Sequence, residues 1–507
     1  MTRRLPLSFL GAALLVSTAG APASASPTVG SPPRVDYSGH ASVLVTVSDS
    51  AQRAWLETHA RLVDDHGGTA VLAVIERGRL LSLLEQGLSF EVREHDIQRA
   101  IDRVYGDAPV PARWGPFFTD FATNEQMRAF VDGLGEHEGA SVTDYGSSVE
   151  GRPLQALLVG DGSQPTVAVL GTQHAREWIS PMVTGCLAQA FASAEDPAVA
   201  ELVERLDFVF VPIVNPDGYA YSHQVDRLWR KNRRNGHGVD LNRNWDVHWG
   251  LGTAGAGVGS EAYPGTAAFS EPETAAIAEL LSDRELVGFF DYHSPIAVVL
   301  YPFAFTSTPS PEEERELSWG QAMADAIGAV HGVTHGVTKP GQGNPSGGLA
   351  QDWALDDRGA LAWTMELRGG NGGGGFIIDA SEIGPACDEN LAGFIEGVSR
   401  IADEFGEDPA PPPTGTSGAA DSGGDDGTDP DESGDGSPGA TDGSEPGTGG
   451  TASEEDDDGA DLPTSTADAG AMGGGVDGCA CRTRGATGYA GAWVLLGLLF
   501  ARRRRTL

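Results

Sequence analysis

Basic side chains are scarce in this sequence. Among its 507 residues, 33 are Lys or Arg and 72 are Asp or Glu, which gives a formal net charge of -39. A surface that binds nucleic acid depends on clustered Lys and Arg that contact phosphates, so this balance argues against nucleic acid as a partner. The acid is also unevenly placed, because residues 406–476 contain 18 Asp and Glu and no Lys or Arg.

Cysteine is also rare, with four in the chain. Cys479 and Cys481 form a Gly-Cys-Ala-Cys element near the C-terminus, whereas Cys186 and Cys387 lie in the large central block. Export to an oxidising compartment would permit a disulfide, but spacing alone does not establish that Cys186 meets Cys387. The alternative for Cys186 is a small buried apolar residue on a helix.

Long apolar runs are absent near the N-terminus. Residues 5–16 are mostly apolar but fall short of the ~20 residues that span a bilayer stably. Arg3 and Arg4 precede this run and a small-residue Ala-Ser-Ala site follows it at residues 23–25, which is the order of a secretory signal peptide. We therefore predict that residues 1–25 are a signal peptide and that the protein is secreted or attached to the cell surface.

A small unit of alternating patterns follows, from residue 26 to residue 112. The predicted strands are residues 42–47, 69–75 and 89–94, and the predicted helices are residues 51–63, 77–85 and 96–105. A stretch that contains proline, residues 106–116, has the composition of a linker.

Residues 113–405 form one domain-sized block. Its apolar runs, which predict buried strands, are residues 166–170, 208–214, 287–292, 298–301 and 361–367. Helical patterns alternate with them at residues 179–193, 312–330 and 389–405. Buried strands that alternate with helices predict an α/β fold whose sheet is covered on both faces.

The C-terminal part has a different composition. Residues 406–476 are rich in Gly, Ser, Thr, Pro and Asp and cannot bury enough apolar surface to offset the entropy of ordering, so we predict a disordered acidic linker. Residues 477–507 combine the cysteine element, a largely apolar run and four arginines at residues 502–505. This order resembles the sorting tails named MYXO-CTERM, which implies a tail that is cut and leaves the protein lipid-linked or released. An ordinary transmembrane tail anchor is the alternative.

A candidate metal site begins at His174 and Glu177. Both follow the predicted strand that ends at Leu170 and precede a helical pattern, so an imidazole and a carboxylate can point at one spot. A catalytic zinc needs a third protein ligand and keeps one position for water or substrate. His293, at the end of another predicted strand, is the best candidate, because strand ends at one edge of an α/β sheet lie close together. The alternatives are a pair of surface helix neighbours and a core histidine satisfied by the backbone.

Seven motifs occur in the order in which one enzyme family carries them. They read GTQHAREW at residues 171–178, VNPDGY at 214–219, RLWRKNR at 227–233, VDLNRNW at 239–245, HS at 293–294, DW at 352–353 and TMELR at 364–368. On these motifs, residues 117–401 resemble the funnel-type zinc metallocarboxypeptidases, the pancreatic carboxypeptidase group. The resemblance implies a mixed central β-sheet flanked by helices, one Zn²⁺ per catalytic domain, and hydrolysis of C-terminal peptide bonds.

The resemblance also implies roles for single residues in catalysis. His174, Glu177 and His293 match the zinc ligands of the family. Glu366 matches the catalytic carboxylate, and Arg230 matches the cation beside the scissile carbonyl. A carboxylate can take a proton from a zinc-activated water and pass it to the leaving amine, and a cation can stabilise the developing oxyanion.

Three further residues match positions that bind substrate in the family. Asn242 and Arg243 match the pair that holds the free C-terminal carboxylate, and Arg176 matches an accessory cation on the approach to the site. An arginine fork beside an asparagine donor is well shaped for a carboxylate. The alternative for these arginines is ordinary pairing with surface acids.

The sequence departs from the family at two places. Residues 332–345 contain no tyrosine, where the family has a mobile tyrosine that caps the substrate, and His335, Gln342 or Asn344 would be a partial replacement. Residues 347–353 carry one residue more than the pancreatic enzymes, and Gln351 stands where their specificity pocket has an apolar residue or Asp. A neutral amide gives no strong preference for Lys or Arg, so we expect apolar or mixed C-terminal residues in the substrate.

Residues 26–112 occupy the position of the family's folding and inhibitory prosegment. We predict that this unit covers the active-site opening and is cut near the linker, with Arg113 as one cleavage site; a permanent accessory domain is the alternative. The whole chain is therefore predicted to be a monomeric carboxypeptidase zymogen. It is expected to act on peptide or protein C-termini and to contact a membrane only through its tail. Three other readings stay open: a peptidase of peptidoglycan stem peptides, a deacylase of acyl-amino acids, and a surface binding protein without activity.

Overall fold

A computed structural model describes residues 34–64, 70–104, 111–253, 256–341, 345–370 and 373–406. The predicted signal peptide, the predicted tail, all but the first residue of the predicted acidic linker, Gln342 and Asn344 lie outside these ranges. No helix of the described part is long and apolar enough to cross a membrane. The described strands and helices are β1 (His40–Thr46), α1 (Ser50–His59), β2 (Arg61–Asp64), β3 (Ala70–Glu76), α2 (Leu80–Glu85), β4 (Ser89–Glu94), α3 (Ile97–Val104), α4 (Asn124–Leu134), β5 (Ala140–Ser147), β6 (Pro153–Val159), β7 (Thr166–Gly171), α5 (Ile179–Ser193), α6 (Pro197–Arg205), β8 (Asp207–Val211), α7 (Pro216–Gln224), α8 (Pro272–Leu281), β9 (Leu286–His293), β10 (Ile296–Leu300), α9 (Glu313–His331), β11 (Gly336–Thr338), α10 (Ala350–Asp356), β12 (Leu361–Arg368) and α11 (Ile383–Phe405).

The small N-terminal unit is built on a four-stranded antiparallel sheet in the order β2-β3-β1-β4. Val43 and Val45 alternate along β1 and pack with Ala73 of β3, Leu56 of α1 and Leu83 of α2 in a buried apolar core. Side chains two apart on a strand share one face, so this pattern gives the sheet a dry side against its helices.

One helix of this unit is shorter than the sequence predicts. The pattern over residues 51–63 predicts a single helix, but α1 ends at His59 and Ala60 is extended. Arg61 then begins β2, in which Leu62 pairs with Ala73 of β3. Helix propensity is a weak preference, and the hydrogen-bonded ladder to β3 overrides it here.

An eight-stranded mixed sheet runs through the large block in the order β11-β10-β12-β9-β7-β8-β6-β5. Strands β12, β9, β7 and β8 are parallel neighbours, whereas β10 joins β12 and β6 joins β8 in antiparallel fashion. Along β7, Val167 and Val169 pack in the core that contains α5, α9 and α11 residues, and Ala168 and Leu170 pack with those of α8 and α10. The prediction of an α/β fold with a mixed central sheet flanked by helices is therefore confirmed.

A disulfide joins Cys186 of α5 to Cys387 of α11. The two Cα atoms are 6.1 Å apart, and 201 positions separate the two residues in the sequence. Both are fully buried within the core on one face of the sheet. The pairing that the sequence left open is therefore made.

Candidate metal centre

The candidate ligands meet at the ends of two neighbouring parallel strands. Gly171, the last residue of β7, pairs with Tyr292 of β9, so the loop after β7 reaches the end of β9. This loop turns at Thr172, whose φ of 60° is unusual for a residue with a branched side chain. The amide of Thr172 donates to Oγ of Ser180 over 2.9 Å, which anchors the turn to α5. The strand-end argument thus places the loop correctly.

Three ligand atoms lie close enough to share one ion. Nδ1 of His174 is 2.9 Å from Oε1 of Glu177 and 2.9 Å from Nδ1 of His293. Nδ1 of His293 is 3.1 Å from Oε2 of Glu177, and one ligand atom from each residue lies within 4.8 Å of the others. All three side chains are buried. Two imidazoles and a carboxylate are a donor set that zinc prefers, so these residues fit the predicted ion.

Each imidazole contacts a second carboxylate through its other ring nitrogen. Nε2 of His174 is 3.1 Å from Oδ1 of Asp240, and Nε2 of His293 is 2.8 Å from Oδ2 of Asp291. Such a carboxylate holds the proton on Nε2, orients the ring and leaves the lone pair of Nδ1 for a metal. Sequence reasoning missed both acids. Their positions could have indicated a role at the site, because Asp240 stands two residues before Asn242 and Asp291 stands two residues before His293.

The charges of the ligands suit a cation. Although burial opposes ionisation, the imidazoles of His174 and His293 hold the pKa of Glu177 well below its usual range. Burial, assisted by the nearby Arg230, lowers the pKa of His174. Burial acts in the same direction on His293, but Asp291 and Glu177 raise the pKa of that imidazole. Metal binding requires neutral imidazoles, so an ion that binds here displaces any proton on His293.

Glu366 and Arg230 stand beside the three ligands. Glu366 of β12 lies opposite His293 of β9 in the parallel register. Nη2 of Arg230 donates to Oδ2 of Asp240 over 2.9 Å, so one buried carboxylate contacts both this guanidinium and His174. All of these residues except Asp240 line one cavity of about 560 Å³.

Asn242 and Arg243 form part of a single 3-10 turn that Asp240 caps at its N-terminus. Oδ1 of Asn242 accepts a hydrogen bond over 2.9 Å from the amide of Ala350, the first residue of α10. Nη1 of Arg243 donates to the carbonyl of Asn242 over 2.6 Å. Both side chains line the same cavity, so the two residues predicted to bind the substrate carboxylate lie in the cavity that the metal ligands also line.

The sequence as a whole matches known carboxypeptidases. The family described as "Zinc carboxypeptidase" matches residues 127–393, which is more than half of the chain. The chain belongs to the zinc carboxypeptidase family. It is 32% identical over 323 residues to Zinc carboxypeptidase A 1 of Anopheles gambiae, and this alignment covers 60% of this chain and 73% of that protein. It is also 32% identical over 303 residues to Carboxypeptidase B of Astacus astacus, which covers 57% of this chain and 99% of that protein.

The fold agrees with this membership. The crystal structure of carboxypeptidase A from Helicoverpa armigera matches with a TM-score of 0.63 at 23% identity, over 72% of this chain and 98% of that one. The protein is thus a metallocarboxypeptidase with one Zn²⁺ as cofactor, and peptides with free C-termini are its substrates.

The carboxypeptidase buries Arg176 outside the cavity. Its Nη2 donates to the carbonyl of Val63 in the small N-terminal unit, and its Nη1 pairs with Oε2 of Glu261 over 3.1 Å. The guanidinium also lies 4.3 Å from the ring centre of Phe376. Arg176 and His335 are not among the described residues that line the cavity. The structure therefore brings seven of the eight predicted site residues to one cavity and leaves Arg176 beside it.

The small unit contacts the carboxypeptidase block beside the cavity. Its Val63 covers Arg176, yet none of the described residues 34–104 lines the cavity. The unit is also fixed to the carboxypeptidase block through Asp226. There, Nη1 of Arg61 lies 2.8 Å from Oδ2 of Asp226, and the hydroxyl of Tyr37 donates to Oδ1 of the same acid over 2.6 Å.

Proposed function

We propose that this metallocarboxypeptidase removes single residues from peptide C-termini with zinc held by His174, Glu177 and His293. The observation that carries the proposal is the convergence of the three ligand atoms within 4.8 Å beside Glu366 on the next strand. When bound, the zinc ion polarises the substrate carbonyl and lowers the pKa of a water molecule to about 7. Glu366 takes a proton from the attacking water and delivers it to the leaving amine as the C–N bond breaks.

Arg230 and the Asn242–Arg243 pair supply the remaining charges. Arg230, held by Asp240, stabilises the negative charge that develops on the carbonyl oxygen. Arg243 binds the free carboxylate of the substrate, and Asn242 supports that contact. An internal peptide bond offers no such carboxylate, so this clamp favours removal of the last residue.

The proposal is tested by hydrolysis of a blocked dipeptide. A chelator should abolish activity and added zinc should restore it. Glu366→Gln should lower kcat by at least about 10²-fold while one zinc stays bound per chain, because the variant loses proton transfer and keeps the ligands. Glu125→Gln, a change at an exposed residue of α4, is the matched control and should leave kcat unchanged. A folded protein that binds zinc but cleaves no substrate in a panel of C-terminal residues would support a surface binding protein instead.

We also propose that the small unit is an inhibitory prosegment. Val63 sequesters Arg176, the cation on the approach to the site, and the Arg61 and Tyr37 contacts with Asp226 hold the unit in place. Arg113 lies within the predicted linker and is exposed, as a cleavage site must be. Mass spectrometry of the active secreted protein tests this proposal. A mature N-terminus near Ser26 would support a permanent accessory domain.

Export and attachment complete the proposal. The order of charged, apolar and small residues in residues 1–25 supports export, and the cysteine, apolar and basic order in residues 477–507 supports attachment or release at the cell surface. The exported enzyme acts as a monomer. Fractionation with a cysteine-directed lipid label distinguishes a cut tail from an intact transmembrane anchor.

A further inference from the structure

We propose that the cavity selects a carboxamide side chain, that of a C-terminal Gln or Asn, through the amide of Gln351. The inference rests on the proposed function, because it concerns the side chain of the residue that the enzyme removes.

Gln351 is a buried amide in the wall of the cavity. It is the second residue of α10, is 1% exposed, and lines the cavity together with Thr364 of β12. Its Oε1 accepts a hydrogen bond from Oγ1 of Thr364. Its Nε2 is buried and makes no hydrogen bond of normal geometry in the described part of the chain, where the carboxyl group of Asp352 lies beside the amide. A buried donor without a partner is costly, so a ligand that supplies an acceptor gains by satisfying it.

The position of Gln351 is fixed relative to the carboxylate clamp. The amide of Ala350, its neighbour, donates to Oδ1 of Asn242 over 2.9 Å. Gly348 approaches the clamp so closely that a Cβ there would lie 2.2 Å from the carbonyl of Arg243. When Arg243 holds the carboxylate of the last residue, the side chain of that residue therefore shares the cavity with Gln351.

Among the described residues, the rest of this wall carries no charge that could pair with a charged side chain. Leu300, Ala304 and Leu349 line the cavity as apolar groups. The described acids and guanidinium groups of the cavity are those with proposed roles at the metal, the water and the carboxylate: Glu177, Arg230, Arg243 and Glu366. A C-terminal Lys or Arg would lose its hydration without a dedicated counter-ion, and an apolar side chain would leave Nε2 of Gln351 unsatisfied.

A carboxamide satisfies Gln351 in either orientation of its amide. The substrate carbonyl can accept from Nε2, while the substrate NH₂ can donate to Oε1 of Gln351 or to Oγ1 of Thr364. Rotation of the Gln351 amide by 180° exchanges Oε1 and Nε2, and a carboxamide still supplies the complementary group. A carboxylate offers acceptors only, and a thioether offers neither a good donor nor a good acceptor. The chemistry therefore favours Gln or Asn over Glu and Met, in place of the apolar or mixed residues expected from the sequence.

Blocked dipeptides that differ only in the last residue test this selectivity. With the exported, zinc-loaded protein, kcat/KM for C-terminal Gln or Asn should exceed that for Glu and Met by at least about tenfold, which is the effect of one satisfied buried hydrogen bond. Equal values for Gln and Met would overturn the inference and leave the proposed function standing. Failure to cleave any member of the panel would overturn both.

A variant with an apolar side chain of similar size provides the second measurement. Gln351→Met should lower kcat/KM for C-terminal Gln by at least about tenfold and leave the value for Met within a few-fold, because only the amide contact is lost. Asp356→Asn, at an exposed position of α10, is the matched control and should keep the preference for Gln. A Gln351→Met protein that still prefers Gln would overturn the inference. If that variant does not fold, the wild-type panel alone decides.

Discussion

Asp240 serves two functional groups with one buried carboxylate. Its Oδ1 contacts the imidazole of His174 and its Oδ2 accepts from Arg230. Although burial raises the pKa of Asp240, Arg230 and His174 hold it well below its usual range, so the group is a permanent anion. A neutral amide at this position would orient the imidazole less well and would not pair with Arg230.

We expect Asp240→Asn to weaken zinc binding by about 10- to 100-fold, as is typical when a carboxylate behind a metal-binding histidine is lost. It should also lower kcat/KM, because Arg230 loses its anchor. Competition with a chromogenic chelator measures the first effect. Asp246→Asn changes an exposed acid on the same segment and should leave zinc affinity unchanged. Equal zinc affinity for Asp240→Asn and the wild type would contradict the assigned role.

Glu316 is a buried acid on α9. Burial raises its pKa to about 8, with Glu312 and Asp352 adding to the effect, and Oγ of Ser310 lies 3.1 Å from its Oε2. Because the pKa of the folded state exceeds that of the unfolded state, ionisation favours the unfolded chain. Stability is thus lost as the pH rises from about 4.5 to about 8.

Glu316→Gln should therefore gain stability relative to the wild type as the pH rises through this window. The difference in the free energy of unfolding should grow by at most about 1.4 kcal/mol per pH unit and then level off above pH 8. Urea unfolding at pH 5 and pH 8 measures it. Glu314→Gln, at an exposed position on the same helix, should show no such trend. A difference that is constant with pH would show that Glu316 is ionised in the folded protein.

At the scale of strands, apolar runs predict most of the buried central strands, whereas β6 and the edge strands β5 and β11 are missed. The strands β7, β8, β9, β10 and β12 all overlap the predicted apolar runs, although the runs at 208–214 and 298–301 extend beyond the ends of β8 and β10. The sequence does not predict β5, because this edge strand, ASVTDYGS, has no apolar run and its side chains are only half-buried or exposed. Its pairing with β6 is a property of the folded sheet, which no local pattern of eight residues encodes.

Helix starts are misjudged for a related reason. The sequence predicts a last helix from residue 389, yet α11 begins at Ile383. Gly384 and Pro385 look like helix breakers, but a proline in the first turn has no amide that the helix needs. The ligands His174, Glu177 and His293 are predictable because they follow strand ends. Asp291 inside β9 is not, because a buried acid in an apolar strand shows its use only through its partner.

The disulfide links helices α5 and α11. We expect the double variant C186A/C387A to lose about 2–4 kcal/mol of the free energy of unfolding, because the link closes a loop with a sequence separation of 201 and thereby limits the unfolded chain. Urea unfolding measures this loss. Reduced wild-type protein should unfold at a similarly lowered midpoint. A midpoint that neither reductant nor the double variant changes would show that Cys186 and Cys387 do not pair in the folded protein.

At the scale of the whole molecule, the small unit and the catalytic block share a buried apolar cluster as well as polar contacts. The sequence predicts two units, a linker and coverage of the active-site opening, but not the contacts that hold the unit. The partners Arg61 and Asp226 are ordinary charged residues until folding places them together. The described part of the shared surface lies over Arg176, and no described residue of the unit lines the cavity. Short and long substrates should therefore respond differently to the unit.

We expect blocked dipeptides to be cleaved while residues 26–112 are attached and longer peptides to be cleaved slowly. Removal of the unit should raise the ratio of kcat/KM for a decapeptide to that for a dipeptide by at least about tenfold, since Arg176 regains a charged hydrogen bond to substrate. Arg61→Met in the attached chain should raise the ratio part of the way, whereas Arg93→Met, whose partner Glu91 lies within the unit, should not. An unchanged ratio after removal would contradict inhibition at Arg176.

The neighbouring positions of His293 and Glu366 have a practical consequence for redesign. Backbone hydrogen bonds join β9 to β12, and neighbouring strands lie about 4.8 Å apart, so the sheet itself sets the distance between the third ligand and the base. The part of the cavity wall that is proposed to face the side chain of the departing residue comes instead from the connection before α10 and its first turn. Exchange of residues 345–351 can therefore retarget the enzyme to a different terminal amino acid while its hydrolytic machinery keeps its spacing.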